Sequence, residues 1–176
     1  MLFSRIQKNL GSWIVIASIA GAFLSAVSSL QQVIADGGKA LHYWMGNWQP
    51  PLGIEFVIDP ISGALAVLIT FIALLGSLYS LPFVKEEGWL HIGGYYTLYG
   101  LMTVGMCGMV ITGDVFNLYV FLEVMSLSGY GLIAIGGKKS LLAAFRYLLI
   151  GTIGASLYLL GVGYMYALTG TLNMAD

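Results

Sequence analysis

Glu123 stands in the middle of TGDVFNLYVFLEVMSLSGYGLIAI, the stretch from Thr112 to Ile135, which is otherwise suited to lipid and has no basic residue near it. An ionisable group at bilayer depth costs about 2.5 kcal/mol or more, and such groups usually face a bundle interior or a wet cavity. The chemistry open to a carboxyl group there is to accept a proton, hold it and yield it. On a helix Tyr119, Ser126 and Tyr130, spaced four before, three after and seven after Glu123, share its face. They form a polar stripe able to hold hydrogen-bonded water. In general, burial raises a carboxyl pKa and a nearby cation lowers it, so a carboxyl poised between those effects loads and releases protons near neutral pH. The alternative is a protonated glutamate that only hydrogen-bonds a neighbouring helix.

Arg146 is the other charge inside an apolar run. About five residues into its helix, it can snorkel to the nearer membrane edge or take part in a proton route. Asp59 and Asp114 stand at helix starts, where a carboxylate caps the first turn and complements its positive end. Both are expected to be helix caps or entry residues.

Other chemistries find no residues. Cys107 is the one cysteine, His42 and His91 fall in different predicted loops, and no cysteine–histidine spacing suits a metal. The expectation is no metal and no cofactor, since there is no glycine-rich phosphate loop, nucleotide fingerprint or redox ligand set. A net charge of −1 gives no reason to expect nucleic acid.

The elements that carry these residues follow from composition. The 176 residues are 59% hydrophobic and 9% charged, which exceeds what a soluble core can bury. Five apolar runs are long enough to cross a bilayer as helices: Gly11–Ile34, Ile61–Val84, Ile92–Ile111, Val115–Ile135 and Leu141–Leu168. The predicted class is all-α, a polytopic membrane protein with five transmembrane helices in one membrane domain, residues 1–176. Arg5, Lys8, Lys85, Lys138 and Lys139 share one side and Lys39 has the other. The positive-inside rule then places the N-terminus in the cytoplasm and Asp176 outside, in the cell membrane. The loop from Gln31 to Pro60, with Trp44, Trp48, a Pro-Pro pair and the extended run Ile54–Ile58, is expected to be external and to form a small hairpin on the membrane surface. Small residues at Ala17, Gly21, Ser25 and Ser29, and again at Gly151, Gly154 and Ala155, let neighbouring helices approach closely.

TGDVFNLYVFLEVMSLSGYGLIAIGG resembles the segment that holds the key glutamate in antiporter-like membrane proteins: the D subunit of Mrp-type cation/proton antiporters and its relatives in membrane-bound hydrogenases and respiratory complex I. GNWQPPLGIEFVIDPISGALAVL and FRYLLIGTIGASLYLLGVGYMYALTGTLNMAD resemble flanking segments, with the Mrp and hydrogenase branch read as nearer than complex I. The resemblance implies that the five helices are part of an antiporter-like bundle and that Glu123 serves proton translocation with a lysine on a later, broken helix. It matches Arg146 to a basic position of the relatives and Asp114 to the aspartate that starts the glutamate-bearing helix. It covers roughly the second to sixth of about fourteen helices. The chain is therefore read as a split or truncated subunit of a hetero-oligomeric complex, whose partners include other membrane subunits, one of which completes the fold. Protons and Na+ are the expected ions. The rival readings are a non-transporting scaffold and a small self-associating transporter or channel.

Overall fold

A computed structural model describes residues 2–51, 53–84 and 89–175, with residues 2–9 and 89–91 described by backbone alone. Five helices carry the chain: α1 (Leu2–Ala35), α2 (Pro60–Val84), α3 (Trp89–Ile111), α4 (Val115–Ala134) and α5 (Lys138–Thr169). All five include segments long and apolar enough to span a membrane. The fold is helical, as the hydropathy implies, because a helix satisfies its own backbone polar groups in lipid. Several helices start earlier than the apolar runs suggest. The chain is already helical at Leu2, at Trp89 and at Lys138. Hydropathy marks where lipid is tolerated, whereas polar residues such as Lys are good helix formers and extend the helix beyond it. His91 accordingly lies within α3 and not in a loop. Lys85 lies outside the described residues, as do the side chains of Arg5, Lys8 and His91.

Between α1 and α2 the chain forms a hairpin. Strands β1 (Leu41–Trp44) and β2 (Glu55–Ile58) pair antiparallel, with Trp44 opposite Glu55 and Leu41 opposite Ile58. Tyr43 and Trp48 are exposed on it. The hairpin lies over the end of the bundle where α3 turns into α4: Phe56 bridges Thr112, and the Gly113 N–H donates to the Glu55 carbonyl at 2.8 Å. The segment after α5 returns to the same corner, where the Val115 N–H donates to Leu172 O and the Met174 N–H to Gly113 O, both at 2.9 Å. Gly170 permits that return, because its left-handed φ of 73° ends α5 without a Cβ clash.

α2 packs with its small residues inward and its large ones outward. α2 buries Gly63, Ala66, Thr70, Ala73, Ser77 and Ser80 and exposes Leu65, Leu68, Phe71, Ile72, Leu75 and Leu78. Lipid accepts the large apolar side chains, so close backbone approach decides the inner face. Tyr96 of α3 fits against α2, its hydroxyl 3.1 Å from Ser80 Oγ, and Tyr99 donates to Ala73 O at 3.0 Å. α3 meets α4 through Gly105 and Gly108. A Cβ on Gly105 would come within 2.7 Å of the Met125 nitrogen, and one on Gly108 would overlap the Phe121 ring. On α1 Ala17, Gly21 and Ser25 of the small stripe are exposed, while Ser12, Ile16, Ile19 and Val33 are buried. Small-residue spacing marks where a helix can be approached, not which face its neighbours take.

α5 packs chiefly on α4 and buries only Ala144, Ala155 and Val162. At its tightest point Gly151 lies under the hydroxyl of Tyr130, so any Cβ there would overlap it. Gly151→Ala should therefore cost about 1–3 kcal/mol through overpacking. Adding Tyr130→Phe, which removes the obstructing oxygen, should recover part of that loss. Gly161→Ala is the control, because a Cβ there meets nothing within 4 Å. Thermal unfolding in detergent reads all four proteins; a Gly151→Ala variant as stable as the Gly161→Ala control would refute the tight contact.

Candidate functional site

The site is built on α4, and α4 has a firmly held start. Asp114 is its N-cap, accepting the Asn117 N–H at 2.6 Å, and the Asn117 side-chain amide donates to Thr112 Oγ1 at 2.9 Å. With the Val115 N–H taken by Leu172 O, two of the donors that a helix start leaves without an intrahelical partner are satisfied. Asp59 holds α2 in the same manner. Ser62 N–H donates to its Oδ1 at 2.6 Å while its own N–H donates to Ser62 Oγ at 2.8 Å. The bonds from Ser62 outweigh partial burial and keep the Asp59 carboxyl below its ordinary range.

From that fixed end the helix places Glu123 eight residues beyond Val115, about 12 Å along the axis, and about 17 Å from Ala134. The residues sharing its stripe face α5. Tyr119 stacks on Tyr158, with centroids 6.2 Å apart and planes at 8°, and the Tyr158 hydroxyl donates to Val115 O at 3.1 Å. Tyr130 is buried and meets Tyr147 edge-on at 4.8 Å. These two ring pairs set one antiparallel register. Four residues from Tyr119 along α4 correspond to four residues back from Tyr158 along α5, so Glu123 is level with Gly154 and Ser126 with Gly151. A Cβ on Gly154 would meet nothing within 4 Å. The carboxylate thus sits between two aromatic contacts, at a height where α5 has a bare backbone.

Glu123, Tyr119 and Ser126 are half-buried. Among the described residues the one ion pair is His42–Glu55, and Glu123 has no hydrogen-bond partner. Arg146 is exposed on α5. In the same register it is level with Gly131, eight residues from Glu123 and about 12 Å along the axis. The structure therefore brings Tyr119 and Tyr130 of the stripe against α5, with Glu123 and Ser126 between them along α4, and leaves Arg146, Asp59 and Asp114 apart from these contacts. The tyrosines, predicted as lining for a water path, are seen here packing α4 against α5. No cluster of three or more His, Cys, Asp or Glu residues among those described could hold a metal. A cavity of about 520 Å³ opens elsewhere, lined mainly by apolar residues of α1, α3 and α4 together with Phe56, and does not include Glu123.

One constellation escaped the sequence reading. Glu55 is 7% exposed, and its carboxylate accepts from His42 Nδ1 at 2.8 Å, Trp44 Nε1 at 3.0 Å and Asn173 Nδ2 at 3.0 Å. The local signal was present: His42 and Trp44 alternate on one face of a strand, and a residue opposite Trp44 shares that face. Asn173, 118 residues away, carried no signal at all.

Comparison with known proteins places this architecture. Residues 112–176 match the family described as NADH:quinone oxidoreductase/Mrp antiporter, transmembrane. The chain is 47% identical over 175 residues to NADH-quinone oxidoreductase subunit N of Desulforudis audaxviator, covering 99% of this chain and 35% of that one. It is 35% identical over 179 residues to the D subunit of the Na(+)/H(+) antiporter of Bacillus subtilis, covering 100% of this chain and 36% of the relative. Of these two relatives the subunit N protein has the higher identity. Among solved structures it superposes on the membrane-bound sulfane sulfur reductase, an archaeal respiratory membrane complex, with a TM-score of 0.87 and 32% identity, covering 99% of this chain and 36% of the other. The chain spans about a third of the length of the curated relatives it matches. With five membrane-spanning helices, and with the helix bearing Glu123 inside the matched segment, the chain is a relative of the antiporter-like membrane subunits of Mrp and NADH-quinone oxidoreductase type.

Proposed function

We propose that this chain is a subunit of a multisubunit cell-membrane complex that translocates protons, and that Glu123 is where a proton stops midway across the bilayer. The observation that supports this most is the placement of Glu123: a lone carboxyl near the middle of α4, on the stripe that meets α5, bracketed by tyrosine contacts and without a protein partner among the described residues. In hydrocarbon a carboxyl so placed is costly and calls for a functional reason. Na+ is the exchanged ion favoured by the resemblance to the Mrp-type antiporters. Tyr119, Ser126 and Tyr130 order the water path in this reading, and Arg146 either snorkels or relays. The relatives are about three times as long, so transport draws on further helices, wherever they are encoded, including the one that brings a lysine to Glu123. The scaffold reading differs in one testable respect: it needs no titrating group at position 123.

Orientation follows from the basic residues: the end with Lys138 and Lys139 faces the cytoplasm and the hairpin end faces outward. A cysteine at Ser140 should react only with a membrane-permeant reagent. Labelling by an impermeant reagent in intact cells would reverse the orientation.

The function is tested by substitution in the assembled complex. Glu123→Gln keeps size and hydrogen-bonding capacity but cannot titrate, so proton-coupled cation flux should be abolished while the complex assembles normally. Glu123→Asp retracts the carboxyl by about 1 Å, enough to slow a step governed by geometry, and should retain partial flux. Wild-type flux with Gln at this position would remove Glu123 as the proton site and favour the scaffold.

A further inference from the structure

Three parts of the chain that are far apart in sequence meet at the start of α4. They are the hairpin, the α3–α4 corner at Thr112–Asp114, and the segment 171–175 after α5. Backbone bonds join them in pairs: Gly113 N–H to Glu55 O, Val115 N–H to Leu172 O, and Met174 N–H to Gly113 O. The side chain common to the assembly is Glu55. Its Oε1 accepts from His42 and Trp44 on β1, and its Oε2 accepts from Asn173 on the returning segment.

We propose that Glu55 is a positioning residue for proton translocation: its buried carboxylate is the shared acceptor that ties the hairpin to the returning segment, and thereby fixes the height and rotation of α4. The translocation part of this rests on the reading of Glu123 given above.

The chemistry of the acceptor explains why a carboxylate stands here. An ionised carboxylate only accepts, and its two oxygens serve several donors at once. All three surrounding side chains donate. Burial works against the charge, but the bonds from Asn173, His42 and Trp44 outweigh it and hold the carboxyl below its ordinary range. Asn173 cannot turn over to suit a different partner. Its Oδ1 already accepts the Ala175 N–H at 2.7 Å, which commits its Nδ2 to Glu55. A Gln at position 55 would keep an oxygen for Trp44 and His42 but would set one amide against another at Asn173, donor facing donor.

That polarity supplies a test by exchange of partners. Glu55→Gln and Asn173→Asp each spoil the contact, the first by opposing two donors and the second by opposing two carboxylates. Together they restore it with the donor and acceptor reversed, and an Asp at position 173 can still accept the Ala175 N–H. The readout is deuterium exchange of the Gly113 and Val115 amides in the complex, purified in lipid nanodiscs. Each single variant should exchange there about tenfold faster, as expected when one charge-assisted bond is lost. The double variant should return to within about twofold of the original, and α2 amides should not change in any of them. Proton-coupled flux should fall in both single variants and recover in the double.

A double variant no better than its parents, or single variants with unchanged exchange, would overturn the proposal whatever the flux does. Should Glu55→Gln not fold, Asn173→Ala carries the test, because it removes one donor of three: faster exchange confined to residues 113–118 supports the clamp, and unchanged exchange refutes it. If exchange follows the clamp while flux is also indifferent to Glu123→Gln, the proton-site reading is the one that fails and the clamp stands.

Discussion

Hydrocarbon offers no hydrogen bonds, and the fold answers that constraint group by group. Within the spans, hydroxyls turn back onto their own helices: Ser18 to Ile14 O, Thr70 to Ala66 O, Thr103 to Tyr99 O, Ser128 to Val124 O and Thr152 to Leu148 O. Tyrosines reach across instead, from Tyr99 to α2 and from Tyr158 to the start of α4. Against that background Glu123 stands out as a carboxyl in the middle of a span with no such bond among the described residues. The constraint that shapes the scaffold is the same one that marks the site.

The constraint also inverts the usual core. Because lipid accepts Leu and Phe, Gly, Ala, Ser and Thr take much of the interior of the bundle beside Ile16, Ile92 and Tyr96, and contact between those small residues is a matter of backbone approach. α4 is held on one flank by Gly105 and Gly108 of α3 and on the other by Gly151 of α5. Its start is held by Asp114, by the hairpin and by the returning segment. A helix pinned at one end and on both flanks presents its polar stripe at a set height. Proton transfer needs this, because it depends on hydrogen-bond distances and not on general proximity.

The spans, their number and the hairpin were legible in the sequence because each depends on a local property: hydropathy over about 20 residues for the helices, and β-branched and aromatic residues between turn formers for β1 and β2. The polar stripe on α4 was legible because helical periodicity fixes which residues share a face. What it faces was not legible. That Tyr119 and Tyr130 are taken up in packing depends on Tyr158, Tyr147 and Gly151, whose register on α4 no local pattern sets. The stripe on α1 left its partner open for a related reason, since small residues permit an approach without naming the partner. Glu55 was passed over because a charged residue in a loop ordinarily stays solvated. Its burial comes from a donor 118 residues away.

The central claim is that Glu123 gains and loses a proton inside the membrane. Infrared difference spectroscopy of the complex in lipid, recorded while pH is stepped, reports the carbonyl stretch of a protonated carboxyl group directly. If Glu123 is the proton site, a carboxyl band appears and disappears with pH in the original protein and is missing from Glu123→Gln, while the helical amide bands of the two coincide. A pH-dependent spectrum that is the same in both proteins would contradict it.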